Sequence, residues 1–228
     1  QACTGCGRCI EVCRYDAITR SDDSAPVVDA TFCEGCGVCA MECPAGAVEF
    51  SPSLDGWLYQ SNTRRGPMVH ASLSLGRENS GKLVTLVRRR AVEWAGRKEL
   101  DLVVIDGSPG IGCPVIASLT DTDLALMLAE PSVSGAHDVG RLLKLATQMG
   151  VRAAVAVNRW DINPELTEQI ERMARKAGAE IVGRIRYDDR VTEAMVARKA
   201  LVEYTGEGAA EDMRNVWREA ERLLRRQR

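Results

Sequence analysis

Four short stretches of this chain are almost wholly apolar: "LDLVVID", "LALMLAE", "RAAVAVN" and "EIVGRIR", ending at Asp106, Glu130, Asn158 and Arg186. Continuous apolar runs of this length predict strands buried on both faces. Helical patterns separate them, and that order predicts an α/β fold with a mostly parallel sheet flanked by helices. In such sheets function sits at the carboxyl ends of the strands, which here read "DGSPGIGCP", "EPSVSGAHD", "NRWD" and "YDDR". Upstream, "GWLYQSNTRRGPMVHASLSL" has two β-prone runs around Arg64, Arg65 and Gly66, a hairpin or connector over 51–75. Leu83, Leu86, Val87, Ala91 and Trp94 then fall at helical spacing, with Ser80 near the helix start. In the last segment Met213, Val216, Trp217, Ala220, Leu223 and Leu224 share one side of an amphipathic helix. A single apolar stripe predicts packing on the sheet rather than on a membrane surface.

The first 50 residues follow neither pattern. "CTGCGRCIEVCRYDAI" and "CEGCGVCAMECPAGAV" state the same motif twice, thirty residues apart, each as CxxCxxCxxxC. Three cysteines at successive three-residue steps can wrap one inorganic cluster from a single loop, with Gly5, Gly7, Gly35 and Gly37 letting the backbone turn tightly around sulfur. The fourth cysteine of each repeat lies too far along to join them. In two-cluster ferredoxins it ligates the other cluster. The expected sets are Cys3, Cys6, Cys9 and Cys43 for one [4Fe-4S] cluster, and Cys33, Cys36, Cys39 and Cys13 for the second. Structural zinc uses separated CxxC pairs and gains nothing from a third step followed by Cys-Pro. Pro44 completes the motif in the second repeat, whereas Arg14 stands at that place in the first. Four thiolates per cluster leave no open iron, so the sites suit single-electron transfer rather than Lewis-acid chemistry. A domain over 1–50 buries little core, so metal supplies much of its folding energy.

With 228 residues and a net charge of −2, the chain has no general attraction to nucleic acid or membrane. The longest wholly apolar run, "LALMLA", is too short to span a bilayer, and no signal peptide opens the chain, which predicts a cytoplasmic protein. Reduced thiols at eight of the nine cysteines agree with that compartment. Gln1 stands two residues before a functional cysteine, so the chain reads as a fragment or processed product.

"LGRENSGKLV" imitates a phosphate-binding P-loop but has Leu83 where a magnesium-ligating Ser or Thr is required, and it does not follow a buried strand. It reads as a turn before a helix.

Taken in order, the doubled cysteine motif, "GRENSGKLV", "VVIDGSPGIGCPVIAS", "EPSVSGAHD", "VAVNRWD" and "YDDRVTEAM" resemble the MinD/ParA-type P-loop ATPases that carry an inserted two-cluster ferredoxin domain. The resemblance covers essentially the whole chain and assigns 76–228 to the ATPase-like half. It implies that Asp106 organises magnesium-bound water, that Gly110 lies in the loop sensing the γ-phosphate, and that Asn158 contacts adenine. It implies two [4Fe-4S] clusters, with ATP and magnesium in the complete protein, a homodimer, and a redox or metallocofactor-assembly partner. The family's lysine-bearing phosphate loop, on a strand ahead of the insert, has no counterpart in these residues, so the ATPase fold is incomplete. Arg186 also stands where the family usually has Pro. Alternatives are a plain electron-transfer module with a vestigial ATPase half, and an iron–sulfur assembly factor. Cys113 is too few thiols for the cluster that the related nitrogenase iron protein holds between subunits, and reads as a small buried side chain at a helix start. His70 and His137 lack a Ser or Cys partner at readable spacing, and His137 reads as capping or packing near a helix start.

Overall fold

The computed structural model of the chain describes residues 3–20, 24–52, 54–74 and 81–226. They form two compact units, Gln1–Val103 and Val104–Arg228.

In the first unit each cysteine repeat folds into a loop ending in one short helical turn, α1 (Arg8–Glu11) and α2 (Val38–Met41). Strands β1 (Ile18–Thr19) and β2 (Val27–Val28) pair antiparallel beside them. The only buried apolar side chains among the described residues of this segment are Ala17 and Ile18. Beyond it, β3 (Gly56–Thr63) and β4 (Gly66–Leu73) form an antiparallel hairpin closed by Arg64 and Arg65. The Thr63 hydroxyl fixes the turn, donating to the Gly66 carbonyl and accepting from the Arg65 N–H. Helix α3 (Lys82–Arg97) packs on β4. The hairpin supplies a partner for His70 that the sequence did not disclose: its Nε2 lies 3.0 Å from the Ser61 hydroxyl while its ring stacks on Tyr59. Antiparallel pairing brings together residues nine apart, a separation no local motif marks.

The second unit is built on a three-stranded parallel sheet in the order β5 (Ala125–Ala129), β6 (Ala153–Asn158), β7 (Glu180–Ile185). Helices α5 (Val133–Gln148) and α6 (Pro164–Lys176) cover one face, where Val139, Leu143, Ile170 and Ala174 meet Val155 and Val157. The other face takes α9 (Ala209–Arg225), with α7 (Arg190–Val196) and α8 (Leu201–Tyr204) at its margin. Residues 154–157 of β6 are therefore fully buried. A β-carbon at Gly183 would lie 2.8 Å from Val216, so β7 meets α9 at glycine contact. Glu171, 5% exposed, ties α6 to β7 through Arg184 Nε at 2.6 Å. That guanidinium holds the carboxyl below its ordinary range and stacks over Trp160.

Two expectations about strands need correction. "LDLVVID" forms no strand: residues 102–107 are irregular and Val104 is 71% exposed. Strand β5 is buried on one face only, with Leu128 61% exposed on the other. An apolar run becomes a strand only where a neighbour completes its hydrogen-bond ladder. Among the described residues β5 pairs with β6 alone, and the run before Asp106 joins no sheet. Helix α9 does pack on β7, through Val216, Ala220 and Leu223, while Met213 and Trp217 remain exposed. No helix among the described residues is long and apolar enough to cross a membrane.

Candidate iron–sulfur centres and the carboxyl edge of the sheet

The two cysteine loops share a backbone. Gly5 and Gly7 lie at φ 72° and 77°, and Gly35 and Gly37 at 63° and 77°, left-handed conformations that favour glycine. Gly7 and Gly37 each start a helical turn, and Arg8 joins the two turns by a 3.0 Å ion pair with Glu42.

The cysteines surround two cavities, each taking three from one repeat and one from the other. A cavity of about 230 Å³ is lined by Cys3, Cys6, Cys9 and Cys43. A smaller one, about 40 Å³, is lined by Cys33, Cys36, Cys39 and Cys13. The second is narrowed by bulk: Tyr15 and Phe50 line it, whereas Ala45, thirty residues after Tyr15, lines the first. The Cys43 sulfur accepts the Ala47 N–H at 3.3 Å. This bond, with smaller contributions from neighbouring backbone N–H groups, lowers the Cys43 thiol pKa. Burial raises that of Cys39. Among the described residues no three His, Cys, Asp or Glu side chains close on a single metal ion. Tetrahedral zinc needs thiolate sulfurs about 3.8 Å apart around bonds of about 2.3 Å. Four soft thiolates set around a cavity instead fit a polynuclear iron–sulfur group, and N–H bonds to sulfur suit its charge.

The residues expected to serve nucleotide are dispersed within the second unit. Asp106 lies exposed in the irregular segment, and Gly110 takes φ 86° three residues before α4 (Cys113–Leu119). Asn158 is the last residue of β6 and is half-buried. No hydrogen bond or ion pair among the described residues joins these three. The β6 and β7 loops are linked, however, because Asp161 accepts the Tyr187 N–H at 2.8 Å. Arg186 is turned onto α9, where it forms a two-pronged pair with Asp212 at 2.7 and 2.8 Å. Its departure from Pro thus has a structural role, and its partner lies 26 residues ahead, beyond any local signal.

Three expectations differ in detail. Cys113 does open a helix but is exposed rather than buried, because α4 turns Val115 and Ser118 inward instead. His137 neither caps nor packs: Ser132 caps α5, and His137 is an exposed side chain 3.6 Å from Asp138. In "LGRENSGKLV", residues 75–80 lie outside the described residues, while Gly81 caps α3 and Lys82 is its exposed first residue.

Residues 2–47 match the 4Fe-4S dicluster domain family. An uncharacterized protein of Methanocaldococcus jannaschii is 32% identical over 161 residues, which are 71% of this chain and 55% of that relative. This chain spans about half of that relative's length. Among solved structures, the MinD cell division protein of Aquifex aeolicus superposes with a TM-score of 0.52 at 22% identity, over 72% of this chain and 67% of the other. The Pyrococcus furiosus cell division ATPase MinD gives 0.51 at 17% identity, over 63% and 59%. The likeness to both is one of fold. The chain therefore joins a 4Fe-4S dicluster domain to a MinD-like α/β fold.

Proposed function

We propose that this iron–sulfur protein is a two-cluster electron carrier whose MinD-like half, in a longer form of the protein, binds ATP and magnesium and couples nucleotide state to electron transfer or partner docking. One observation carries the reading: each cavity is lined by four cysteines, three from one repeat and the fourth from the other. Residues 1–50 hold the clusters, 51–75 form the connector and 76–228 the ATPase-like half. When bound, each [4Fe-4S] cluster supplies one-electron transfer. Cys3, Cys6, Cys9 and Cys43 hold the first and Cys33, Cys36, Cys39 and Cys13 the second. Tyr15 and Phe50 line the second site, and the Ala47 N–H stabilises negative charge on the Cys43 sulfur.

On the α/β side, Asp106 and Gly110 attend the phosphates and magnesium, and Asn158 the base. The place of Asn158 at the carboxyl end of a parallel strand supports its part of this assignment. The protein works in the cytoplasm with a redox partner protein.

Anaerobically loaded protein should contain about eight irons, with the broad absorbance and interacting reduced-state magnetic signals of two [4Fe-4S] centres. Two zinc ions and no iron would end the reading. For the α/β half, Asn158→Ala in the longer form should weaken ATP binding about tenfold by calorimetry through loss of a buried polar contact. Unchanged affinity would remove Asn158 from the base site.

A further inference from the structure

Charge is divided unevenly within the first unit. Residues 1–50 hold eight Asp and Glu against three Arg, a net of −5, whereas residues 51–100 hold nine Lys and Arg against four Asp and Glu, a net of +5. The chain's net charge of −2 conceals this division. Asp16, Asp29, Glu34 and Glu49 are exposed on the cysteine-rich segment and pair with no basic side chain among the described residues. On α3, Lys82, Arg89, Arg90 and Arg97 fall on one exposed stripe, since their spacing returns to the same side of a helix. Arg90 pairs with Glu93 at 3.0 Å, but Lys82, Arg89 and Arg97 have no acidic partner among the described residues. The stripe also exposes Leu86, and the acidic segment exposes Phe32 and Met41. Each surface thus combines charge with apolar area, as docking surfaces do.

We infer that the acidic cysteine-rich segment of one copy docks on the basic α3 stripe of a second copy, giving a salt-dependent self-association that needs no nucleotide. Opposed surfaces of this kind attract over roughly a Debye length, about 10 Å at 0.1 M salt, and orient the encounter. The contact requires the segment to be folded around its metal, which rests on the function proposed above, but it requires no electron transfer.

The test is sedimentation of the iron-loaded chain at about 0.05 M and about 0.5 M salt, with iron content read on each sample. Self-association at low salt should weaken at least about tenfold at high salt. The double variant Arg89→Glu, Arg97→Glu should lose it at low salt. Mixing that variant with one carrying Asp16→Lys and Glu34→Lys should restore a heterodimer, since the charges are then opposed again. A normal iron content separates failure of this contact from failure of the clusters to load. A monomer at low salt, association indifferent to salt, or an α3 variant that associates like the parent would each overturn the inference. So would retention on a polyanion without self-association, which would instead give the stripe a nucleic acid or anionic membrane as its ligand.

Discussion

Iron removal should unfold residues 3–50 and leave the parallel sheet of the second unit intact. Among its described residues the cysteine-rich segment buries only the apolar side chains of Ala17 and Ile18 and has one sheet, a pair of two-residue strands. Burial of two such side chains contributes only about 2 kcal/mol, far less than the backbone entropy of ordering some fifty residues. Metal–thiolate bonds must offset the rest, so metal affinity and folding are one equilibrium. The second unit has no such dependence, since residues 154–157 are sealed between two helical layers. Hydrogen exchange after anaerobic chelation should show protection falling by about 10³-fold or more in the first segment, equivalent to about 4 kcal/mol. Amides of β6 should keep theirs. Persistent protection over residues 3–50 in iron-free protein would contradict a metal-held fold.

Replacing Cys43 by Ser should empty the site lined by Cys3, Cys6 and Cys9, although those residues lie 34 to 40 positions away. Iron content should fall from about eight to about four, and the paired magnetic signal should become that of one isolated centre. Cys13→Ser should produce the opposite loss, emptying the site of Cys33, Cys36 and Cys39. The cause is geometric. Each repeat turns through left-handed glycines, and its first three cysteines line one cavity while its fourth lines the other. If Cys43→Ser removed instead the cluster of its own repeat, the donor sets would have to be redrawn.

Motifs written in consecutive residues were legible, because cysteine spacing and helical periodicity are local. The doubled cysteine motif pointed to an iron–sulfur domain, and the matched dicluster family agrees. The apolar alternation pointed to a parallel sheet flanked by helices, which β5, β6 and β7 form. What escaped was set by neighbours distant in sequence. "LDLVVID" has the composition of a strand but no adjacent ladder, and composition cannot announce a missing neighbour. The ion pairs Arg8 with Glu42 and Arg186 with Asp212 join residues that no local pattern relates. The narrowing of one cavity by Tyr15 was accessible in principle. Aligning the repeats thirty residues apart sets Tyr15 against Ala45, a large volume difference at one position.

The division of each donor set between the repeats also bears on synthesis. A chain leaving the ribosome presents Cys3, Cys6 and Cys9 before the second repeat, yet their cavity lacks its fourth sulfur until Cys43 has emerged. The other cavity has only Cys13 until the second repeat appears, and is complete at Cys39. Both sites therefore become whole within the same few residues of growth, and for most of its emergence the segment is a nascent chain of unsatisfied thiols. Neither site can hold its full complement of iron ligands before this stretch has emerged.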